Sequence, residues 1–387
     1  MNRIVNTVDD IILRMRTYFM GEGMQQRRYK GEAPLIAELF SVAQMRVYGQ
    51  EVAKGHVLSE GKTPDKLLRR LDNNGKVLLR VRSLLTDAVK EKKSISPASE
   101  WLLDNFYLIE EQIAIGKKHL PKGYSQNLPH LGSGVSEDLP RVYDIALEII
   151  AHSDGRVDLA NLSSFIESYQ MVNELTLGEL WAIPIMLRLA LIENIRRIAA
   201  NIAINRIDRN IANYWAEVLM NGAEKNPKDL IIYIADMAHS EPVLSDSFVA
   251  EFTRSLQGKG AGLSMALTWI EQQLSETGYT SAELVHIENQ KQAANQVSMR
   301  NNIESMRLLR TTNWQEFVES VSCVEHLLRE DIDGVYGSMD FATRDVYRHV
   351  IENIAQKSKT SEVAVARIAI ELAKKIKLKM ISNVKIM

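Results

Sequence analysis

Apolar residues recur along most of this 387-residue chain at intervals of three and four, the spacing of an α-helix with one buried face. No convincing β-hairpin signal interrupts that spacing. The pattern therefore predicts an all-α fold, a multi-helix bundle or irregular helical array without a substantial sheet. The predicted helices cover approximately 5–18, 33–57, 64–92, 97–119, 139–152, 159–171, 176–218, 229–239, 245–257, 263–276, 281–310, 314–330, 342–356 and 362–377.

Two of the helix starts are marked by capping chemistry. Ser96 fits the N-cap of one helix, and Pro97 fits its first helical position. Thr176–Glu179 matches a capping box, in which the threonine and the glutamate each bond to a backbone amide. Kinks are predicted at Pro184 and near Asn73–Gly75. In the helix that begins after Ser96, the apolar stripe that should face the protein core consists of Leu102, Phe106, Ile109 and Ile113.

Turn-forming residues are concentrated in two places. Glycines surround a basic stretch at Gln25–Lys30, and a Pro/Gly-rich stretch over 120–138 is the longest irregular segment. The second of these predicts a boundary between an N-terminal helical subdomain, 1–135, and a second helical subdomain, 136–387. The second subdomain would contain the long central helix near 176–218.

Composition and charge narrow the classes of function. With 47 basic and 49 acidic residues, the net charge of −2 offers no field that would attract nucleic acid or an anionic membrane. The single cysteine, Cys323, lies in an apolar helical register and predicts a buried, inert thiol. No apolar run reaches the roughly 18 residues of a membrane span, and charges interrupt the start of the chain too early for a signal peptide. We therefore expect a soluble, cytoplasmic chain.

The short motifs of common catalytic sites are not found in the sequence, which has no phosphate loop, nucleophile elbow, paired cysteine ligands or His-Glu-x-x-His. Asp331 and Asp333 have the spacing of a metal-binding pair, but their position before Gly334 favours a solvated turn. Glu283 and His286 have the spacing found in di-iron bundles, which need further ligands on facing helices. The sequence thus predicts no metal site and no catalytic residue.

The segment Trp101–Glu111 combines aromatic and acidic side chains. On one continuous helix, Asp104, Tyr107 and Glu111 would share the face opposite the apolar stripe. Two carboxylates beside a tyrosine could serve acid–base chemistry or bind a sugar hydroxyl. A charged outer face that pairs with neighbouring helices is the favoured interpretation, because nothing in the sequence forces a pKa shift.

Arg188 lies in the apolar segment Leu180–Asn194. If that helix is buried all round, the guanidinium needs a carboxylate, since an unpaired buried charge is very costly. A structural ion pair between two helices is favoured over a ligand role. The candidate partners are Glu193, Asp104, Glu110 and Glu111.

Charged residues also gather at the predicted helix start near 340. Asp340 should cap that helix, and Asp345 can pair with Arg348 or His349 at helical spacing. Arg344, Arg348 and His349 could bind an anion. A helix-start ion network with solvated charges is the favoured interpretation.

Six long strings of residues carry a resemblance to a known family. They are WLLDNFYLIEEQI (101–113), LPKGYSQNLPHL (120–131), PRVYDIALEIIAHSDGRVD (140–158), LTLGELWAIPIMLRLALIENIRRIA (175–199), WQEFVESVSCVEHLLRED (314–331) and GVYGSMDFATRDVYRHVIENIA (334–355). Their order and spacing resemble the front section of cyclic β-1,2-glucan synthases, over roughly Glu38 to Ala373. Strings of this length are far more specific than a short motif.

The resemblance implies the cytoplasmic, helical front section of a very large inner-membrane enzyme. In that family, membrane helices, a glucosyltransferase domain that uses UDP-glucose and a divalent metal, and a phosphorylase-like domain follow. Those domains are not in this chain, so the resemblance implies no cofactor in this segment. The residues 376–387, IKLKMISNVKIM, depart from the family pattern and predict a truncated product.

The sequence thus predicts an accessory domain that braces the transferase or handles the glucan chain and is inactive alone. Its partners would be the membrane and transferase domains of the same enzyme, with β-1,2-glucan as a candidate ligand and no nucleic acid. The alternative is a free-standing helical interaction or scaffold protein without sugar chemistry. The candidate residues for glucan or domain contact, chosen for their aromatic faces and charged groups, are Trp101, Asp104, Tyr107, Glu111, Tyr143, Trp181 and Arg188.

Overall fold

A computed structural model of the protein describes residues 33–35, 37–59, 61 and 64–384. In this part of the chain there are 16 α-helices and no β-strand, which confirms the predicted all-α class. The helix predicted over 5–18 and the basic stretch at Gln25–Lys30 lie outside the described residues. The irregular stretch predicted over 120–138 contains one 3-10 turn, Ser125–Asn127.

The helices are numbered here in chain order over the described residues. They are α1 Val42–Gly55, α2 Leu67–Lys90, α3 Pro97–Asp104, α4 Phe106–His119, α5 Arg141–His152, α6 Leu159–Gln170, α7 Leu177–Lys225, α8 Leu230–His239, α9 Asp246–Leu256, α10 Ser264–Ser275, α11 Ser281–Thr311, α12 Trp314–Val321, α13 Cys323–Leu328, α14 Val335–Ser338, α15 Phe341–Ser358 and α16 Glu362–Val384.

Two helices that the sequence predicts as continuous are each broken at one polar residue. Asn105 separates α3 from α4, and its side-chain amide donates back to the carbonyl of Trp101 (2.9 Å). Ser322 separates α12 from α13 and caps α13 by accepting from the amide of Glu325 (3.2 Å). In both places a short polar side chain bonds to nearby backbone and so competes with the helix.

Two other helices continue through residues that predict an interruption. The helix α2 runs unbroken through Asn73–Gly75, where the side-chain amide of Asn74 donates to Glu193 (2.7 Å). The helix α7 runs through Pro184 and ends at Lys225, beyond the predicted end. Tertiary contacts can override a weak local signal of this kind.

The described residues divide into two compact units, each assembled from separate stretches of chain. Unit 1 contains Asn73–Glu110 and Glu193–Ile303, together with residues 33–34. Unit 2 contains Leu35–Asp72, Glu111–Ile192 and residues 304–384. Both units include stretches from either side of residue 135, and the boundary predicted there from the loop stays a prediction.

One apolar cluster of unit 1 is built mainly from α7 to α10. Trp215 of α7 is buried with Phe248 and Phe252 of α9, whose rings stack with centroids 5.6 Å apart. Ile270 of α10 and Leu284 of α11 belong to the same apolar cluster. These residues follow the helical spacing of the sequence, so each helix buries one apolar stripe.

In unit 2, α1 packs closely against α6. Gly49 permits this approach, because a Cβ at that position would lie 2.7 Å from the carbonyl oxygen of Phe165 and closer still to the hydroxyl of Ser168. A second apolar cluster is formed by α13, α15 and α16, with Leu328, Ile351 and other buried side chains. The narrow gap between α1 and α6 is a steric requirement that hydrophobic spacing does not reveal.

Replacing Gly49 with alanine should lower the free energy of unfolding by about 1–3 kcal/mol, because the added methyl group forces α1 away from α6. Gly55→Ala at the end of the same helix is the matched control. Its Cβ position meets no atom within 4 Å, so the change should be less than about 1 kcal/mol. Urea denaturation followed by circular dichroism measures both. Equal unfolding free energies for the two variants would contradict the close packing.

The start of α7 is a junction of polar contacts within unit 2. Thr176 and Glu179 form the predicted capping box, with the amide of Glu179 donating to the threonine hydroxyl (3.2 Å) and the amide of Thr176 donating to the carboxylate (2.9 Å). Arg141 of α5 donates to both oxygens of Glu179, at 2.5 and 2.7 Å. Glu362 of α16 accepts from the amide of Leu177 (2.7 Å). Three segments far apart in sequence therefore meet at one helix end.

Glu362 should make the stability of this junction depend on pH. Burial raises the pKa of Glu362 to about 6. The negative charges of Glu352 and Glu179 also raise this pKa, whereas the hydrogen bond from the amide of Leu177 lowers it. Because the pKa in the folded state lies above the reference value of 4.5, the stability that this group contributes is complete below pH 4.5. That contribution is lost as the pH rises through 6.

Glu362→Gln keeps an oxygen acceptor for Leu177 and removes the charge. Relative to the wild type, this variant should gain on the order of 1 kcal/mol of unfolding free energy between pH 4.5 and pH 8. Urea denaturation of both proteins at the two pH values measures the difference, and titrations elsewhere in the chain cancel. A difference that does not change with pH would show that Glu362 has an ordinary pKa.

Candidate functional site

The predicted polar and aromatic face of Trp101–Glu111 is divided between two helices. Trp101 and Asp104 belong to α3, whereas Tyr107 and Glu111 belong to α4, because the break at Asn105 interrupts the helical register. The expectation of one continuous helix over 97–119 is therefore wrong. Tyr107 is 64% exposed and Asp104 is also exposed, whereas Trp101 is half-buried.

Arg188 is buried on α7, and its hydrogen-bond partner differs from the prediction. Its Nε donates to the side-chain oxygen of Gln112 at 2.7 Å, an amide rather than a carboxylate. Burial lowers the pKa of Arg188, and the charge of nearby Glu111 opposes that shift. Glu111 is itself 3.2 Å from the guanidinium of Arg310, while the predicted partner Glu193 is paired in unit 1 with two arginines of its own helix.

Tyr143 and Trp181 differ in their access to solvent. Tyr143 is 1% exposed on α5, so its ring does not offer a face to a sugar in this fold. Trp181 is half-buried on α7 and packs edge-on against Phe341, with ring centroids 6.0 Å apart. The guanidinium of Arg348 lies over the same Phe341 ring at 4.8 Å. Trp181 thus borders a cluster of charged residues at the start of α15.

That arginine–glutamate cluster consists of Glu319, Glu325, Arg344 and Arg348, with Tyr336. Arg348 Nη1 lies 2.7 Å from Glu319 Oε1 and 2.8 Å from Glu325 Oε2. Arg344 Nη2 lies 2.8 Å from Glu319 Oε2, and the hydroxyl of Tyr336 donates to Glu325 (2.7 Å). The cluster therefore joins α12, α13, α14 and α15.

The candidate residues near 340 fall in or beside this cluster. Asp340 caps α15 by accepting from the amide of Thr343 (2.7 Å), and Asp345 lies 3.1 Å from Arg348. Arg348 is only 2% exposed, so the network is buried at its centre rather than solvated as expected. Burial alone would lower the pKa of Arg348, but the hydrogen bonds to the glutamates raise it. Because carboxylates of the chain engage both arginines, the cluster acts as a structural lock.

Two glutamates of the cluster are absent from the sequence-based candidates. Glu319 and Glu325 lie on α12 and α13, about 20 to 30 residues before the arginines that they bind. Burial acts to raise the pKa of Glu319, yet the hydrogen bonds from Arg344 and Arg348 hold it below its ordinary value. Glu325 pairs at helical spacing with Arg329, four residues later and 2.8 Å away. No such spacing marks the contacts of the two glutamates with Arg344 and Arg348.

Arg348→Met should lower the free energy of unfolding by about 3–5 kcal/mol, because it leaves the carboxylate of Glu325 buried without this guanidinium. Arg310→Met is the control, since its ion pair with Glu111 is half-exposed and should contribute less than about 1 kcal/mol. Urea denaturation at neutral pH compares the two variants. Equal losses would show that the cluster is no more important than a surface pair.

The remaining sequence candidates have structural roles in unit 2 or at exposed helix ends. Asp331 accepts from the amides of Val335 and Tyr336 (3.0 and 3.3 Å), as expected for a turn. Glu283 caps the start of α11 through the amide of Thr280 (2.8 Å). Cys323 is half-buried rather than fully buried, and burial raises the pKa of its thiol.

A polar groove lies on unit 1, between the segment before α3 and the helices α7, α9 and α11. Its volume is about 440 Å³, within the range of about 300–1,000 Å³ typical of small-ligand sites. A smaller cavity of about 20 Å³, room for about one water molecule, shares lining residues with the groove. Arg206 lines the small cavity, and Arg209 lines both spaces. Thr253, Glu288 and Asn289 line the groove.

Charges in the groove are largely balanced by contacts among its own residues. Arg209 forms an ion pair with Glu288, and Gln292 donates to the same carboxylate oxygen of Glu288 (2.7 Å). Arg254 pairs with Glu251 of the same helix at 2.7 Å. The lining is therefore rich in donors and acceptors but carries little net charge.

Three buried polar atoms of the groove and its adjoining cavity have no hydrogen-bond partner within the described part of the chain. They are Arg206 Nε, Thr253 Oγ1 and Glu288 Oε2. Arg206 is held in place because its Nη1 donates to the carbonyl of Ser94 (2.7 Å). Burial lowers the pKa of Arg206, and the neighbouring charge of Arg209 lowers it further. Buried polar atoms without partners are uncommon and indicate a missing water or ligand.

None of the sequence-based candidates lines this groove, which sequence reasoning missed. Its walls come from four segments separated by about 30 residues or more, and their polar residues match no motif. The amide-rich run over 289–296 is the one local feature that could have drawn attention to α11.

Two further features bear on function. Among residues 33–35, 37–59, 61 and 64–384, no three His, Cys, Asp or Glu side chains are grouped so as to hold a metal ion. The helices of that same region include none whose length and apolar character would suit a membrane crossing.

Comparison with known proteins gives one informative match. No family model matches the chain. The chain is 33% identical over 341 residues, 87% of its length, to the cyclic beta-(1,2)-glucan synthase NdvB of Rhizobium meliloti (strain 1021). The match spans 12% of that relative's own length. It confirms the resemblance to cyclic β-1,2-glucan synthases that the long strings indicate.

Proposed function

We propose that this chain is an accessory, helical part of the machinery that makes cyclic β-1,2-glucan. In this role it braces the glucosyltransferase or handles the growing glucan chain, and it does not transfer glucose by itself. The observation that carries the proposal is the 33% identity to a cyclic glucan synthase over 87% of the chain. Identity that extends through both units favours a shared helical architecture over a shared short motif.

The arrangement of charged residues supports a non-catalytic role. In unit 2, the arginines and glutamates of the cluster around Arg348 neutralise one another and join three helices. At the start of α7, Arg141 and Glu179 likewise neutralise each other. A catalytic acid, base or nucleophile needs a side chain that can reach a substrate, whereas these charges are committed to the fold.

The proposal also assigns the chain a place and partners. It would act on the cytoplasmic side of the inner membrane, beside the membrane and transferase domains of a synthase. UDP-glucose and a divalent metal would be bound by those domains. The chain's own ligand would be the β-1,2-glucan product.

A domain-replacement experiment tests the proposal. In the Rhizobium meliloti synthase, the segment that matches this chain is deleted or replaced by this chain, and cyclic glucan is measured in cell extracts. Deletion should abolish glucan production, and replacement should restore it, because a bracing part can be supplied by a related sequence. Immunoblotting shows whether each enzyme is present in the membrane. A replaced enzyme that is present but makes no glucan would contradict the proposal.

The purified chain alone should release no UDP from UDP-glucose in the presence of Mg²⁺, since the transfer chemistry is assigned to other domains. A matched reaction with the full-length relative gives the positive control. Sustained UDP release together with a β-1,2-linked product would overturn the statement that this chain is inactive by itself.

The alternative, a free-standing helical interaction protein, has one observation in its favour. On α15, the exposed apolar residues Val346, Val350 and Ile354 recur every four positions, and Ile368 and Leu372 of α16 are exposed with the same spacing. Apolar stripes of this kind often mark contact surfaces. The replacement experiment separates the two functions, because a free-standing protein would not restore glucan production when built into the synthase.

A further inference from the structure

The groove of unit 1 and the small cavity that adjoins it contain buried donors and acceptors without partners in the described residues. Glu288 is 1% exposed, and its Oε2 can only accept a hydrogen bond, whereas the Nε of Arg206 can only donate one. The hydroxyl of Thr253 can do both. Leaving such atoms buried and unpaired costs about 1–3 kcal/mol each, so an occupant that pairs with them would be stabilised there.

The types of these atoms restrict the chemistry of the occupant. A phosphate or carboxylate has no proton to donate to Glu288, whose charge would repel it. An ammonium group can donate to Glu288 but cannot accept a hydrogen bond from Thr253 or Asn289, which line the groove. A hydroxyl group does both, and a sugar presents several hydroxyl groups along one edge. The pattern therefore favours a neutral, polyhydroxylated ligand.

The balance of charge leads to the same conclusion. Arg209 is paired with Glu288 and Arg254 with Glu251, so two of the three arginines of the groove and its cavity are neutralised by the chain itself. Arg206 donates to the carbonyl of Ser94. Recognition of a nucleotide or phosphate normally uses arginine or lysine forks directed at the anion, which this lining does not offer.

We infer that the polar groove of unit 1 is a carbohydrate-binding site that holds a segment of β-1,2-linked glucan. The saccharide class follows from the donors and acceptors of the groove, and the β-1,2 linkage rests on the proposed function. The groove is partly open to solvent, so a sugar can reach it from the surface. Thr253 and Asn289 are the residues expected to contact the ligand.

The test uses the purified chain and isothermal titration with linear β-1,2-glucan oligosaccharides. Thr253→Val removes the hydroxyl with little change of shape. Because that hydroxyl has no partner in the described part of the chain, the thermal stability should stay the same or rise, while glucan affinity should fall about 3- to 10-fold. Thr268→Val is the matched control: it lies on α10 outside the groove, and its hydroxyl donates to the carbonyl of Ser264.

A second pair of variants guards against an indirect effect. Asn289→Ala changes an exposed residue of the groove, whereas Gln290→Ala changes its exposed neighbour, which does not line it. The first should weaken glucan binding and the second should not. Maltooligosaccharides and UDP serve as competitor ligands, and both should bind more weakly than the β-1,2-glucan.

Each outcome decides the inference. Loss of affinity in Thr253→Val and Asn289→Ala, with both controls unchanged, supports it. No binding of any oligosaccharide overturns it, as does binding that all four variants leave unaltered, or a preference for UDP. The replacement experiment is read separately: restored glucan production without oligosaccharide binding would refute this site and leave the accessory role standing.

Discussion

A charged side chain that leaves water for the space between helices needs a partner, and much of this structure depends on meeting that need. Arg348 is almost fully buried and is held by two glutamates from other helices, while Arg141 is held by Glu179. In unit 1, Arg209 is paired with Glu288. Such contacts fix which helices are neighbours, because breaking one partner of a buried pair costs far more than losing a surface ion pair.

The same constraint separates the structural clusters from the candidate site. Around Arg348, three carboxylates accept hydrogen bonds from the guanidinium, so its donors are used within the fold. In the groove of unit 1, buried polar atoms on Arg206, Thr253 and Glu288 are left without partners in the described residues. A cluster that satisfies itself stabilises a fold, whereas one that remains unsatisfied is a place for a ligand.

The similarity to a glucan synthase bears on the function of both the cluster around Arg348 and the groove of unit 1. The match extends over most of the chain but over a small part of the relative, so the chain corresponds to one section of a much larger enzyme. A section built of helices locked by ion pairs is suited to bracing, and a neutral polar groove on it is suited to holding a product. The two proposed roles are compatible, because the cluster around Arg348 lies in unit 2 and the groove lies in unit 1.

Local features of the sequence determined the class of the fold and several helix ends. Hydrophobic spacing repeats within a few residues, so it predicts helices without knowledge of their neighbours. The caps at Ser96 and Thr176 are equally local, since each involves a residue and the amide three positions later. The long strings of the resemblance are likewise properties of the sequence alone.

Only the tertiary structure decided which polar residues meet. Gln112 is the partner of Arg188, although the sequence pointed to carboxylates, because the helix that packs beside it presents an amide there. The break at Asn105 placed Asp104 and Tyr107 on different helices, and the groove joined segments that no spacing connects. Hydrophobic periodicity states which face of a helix is buried, but the identity of the facing helix and its register depend on packing across the whole chain.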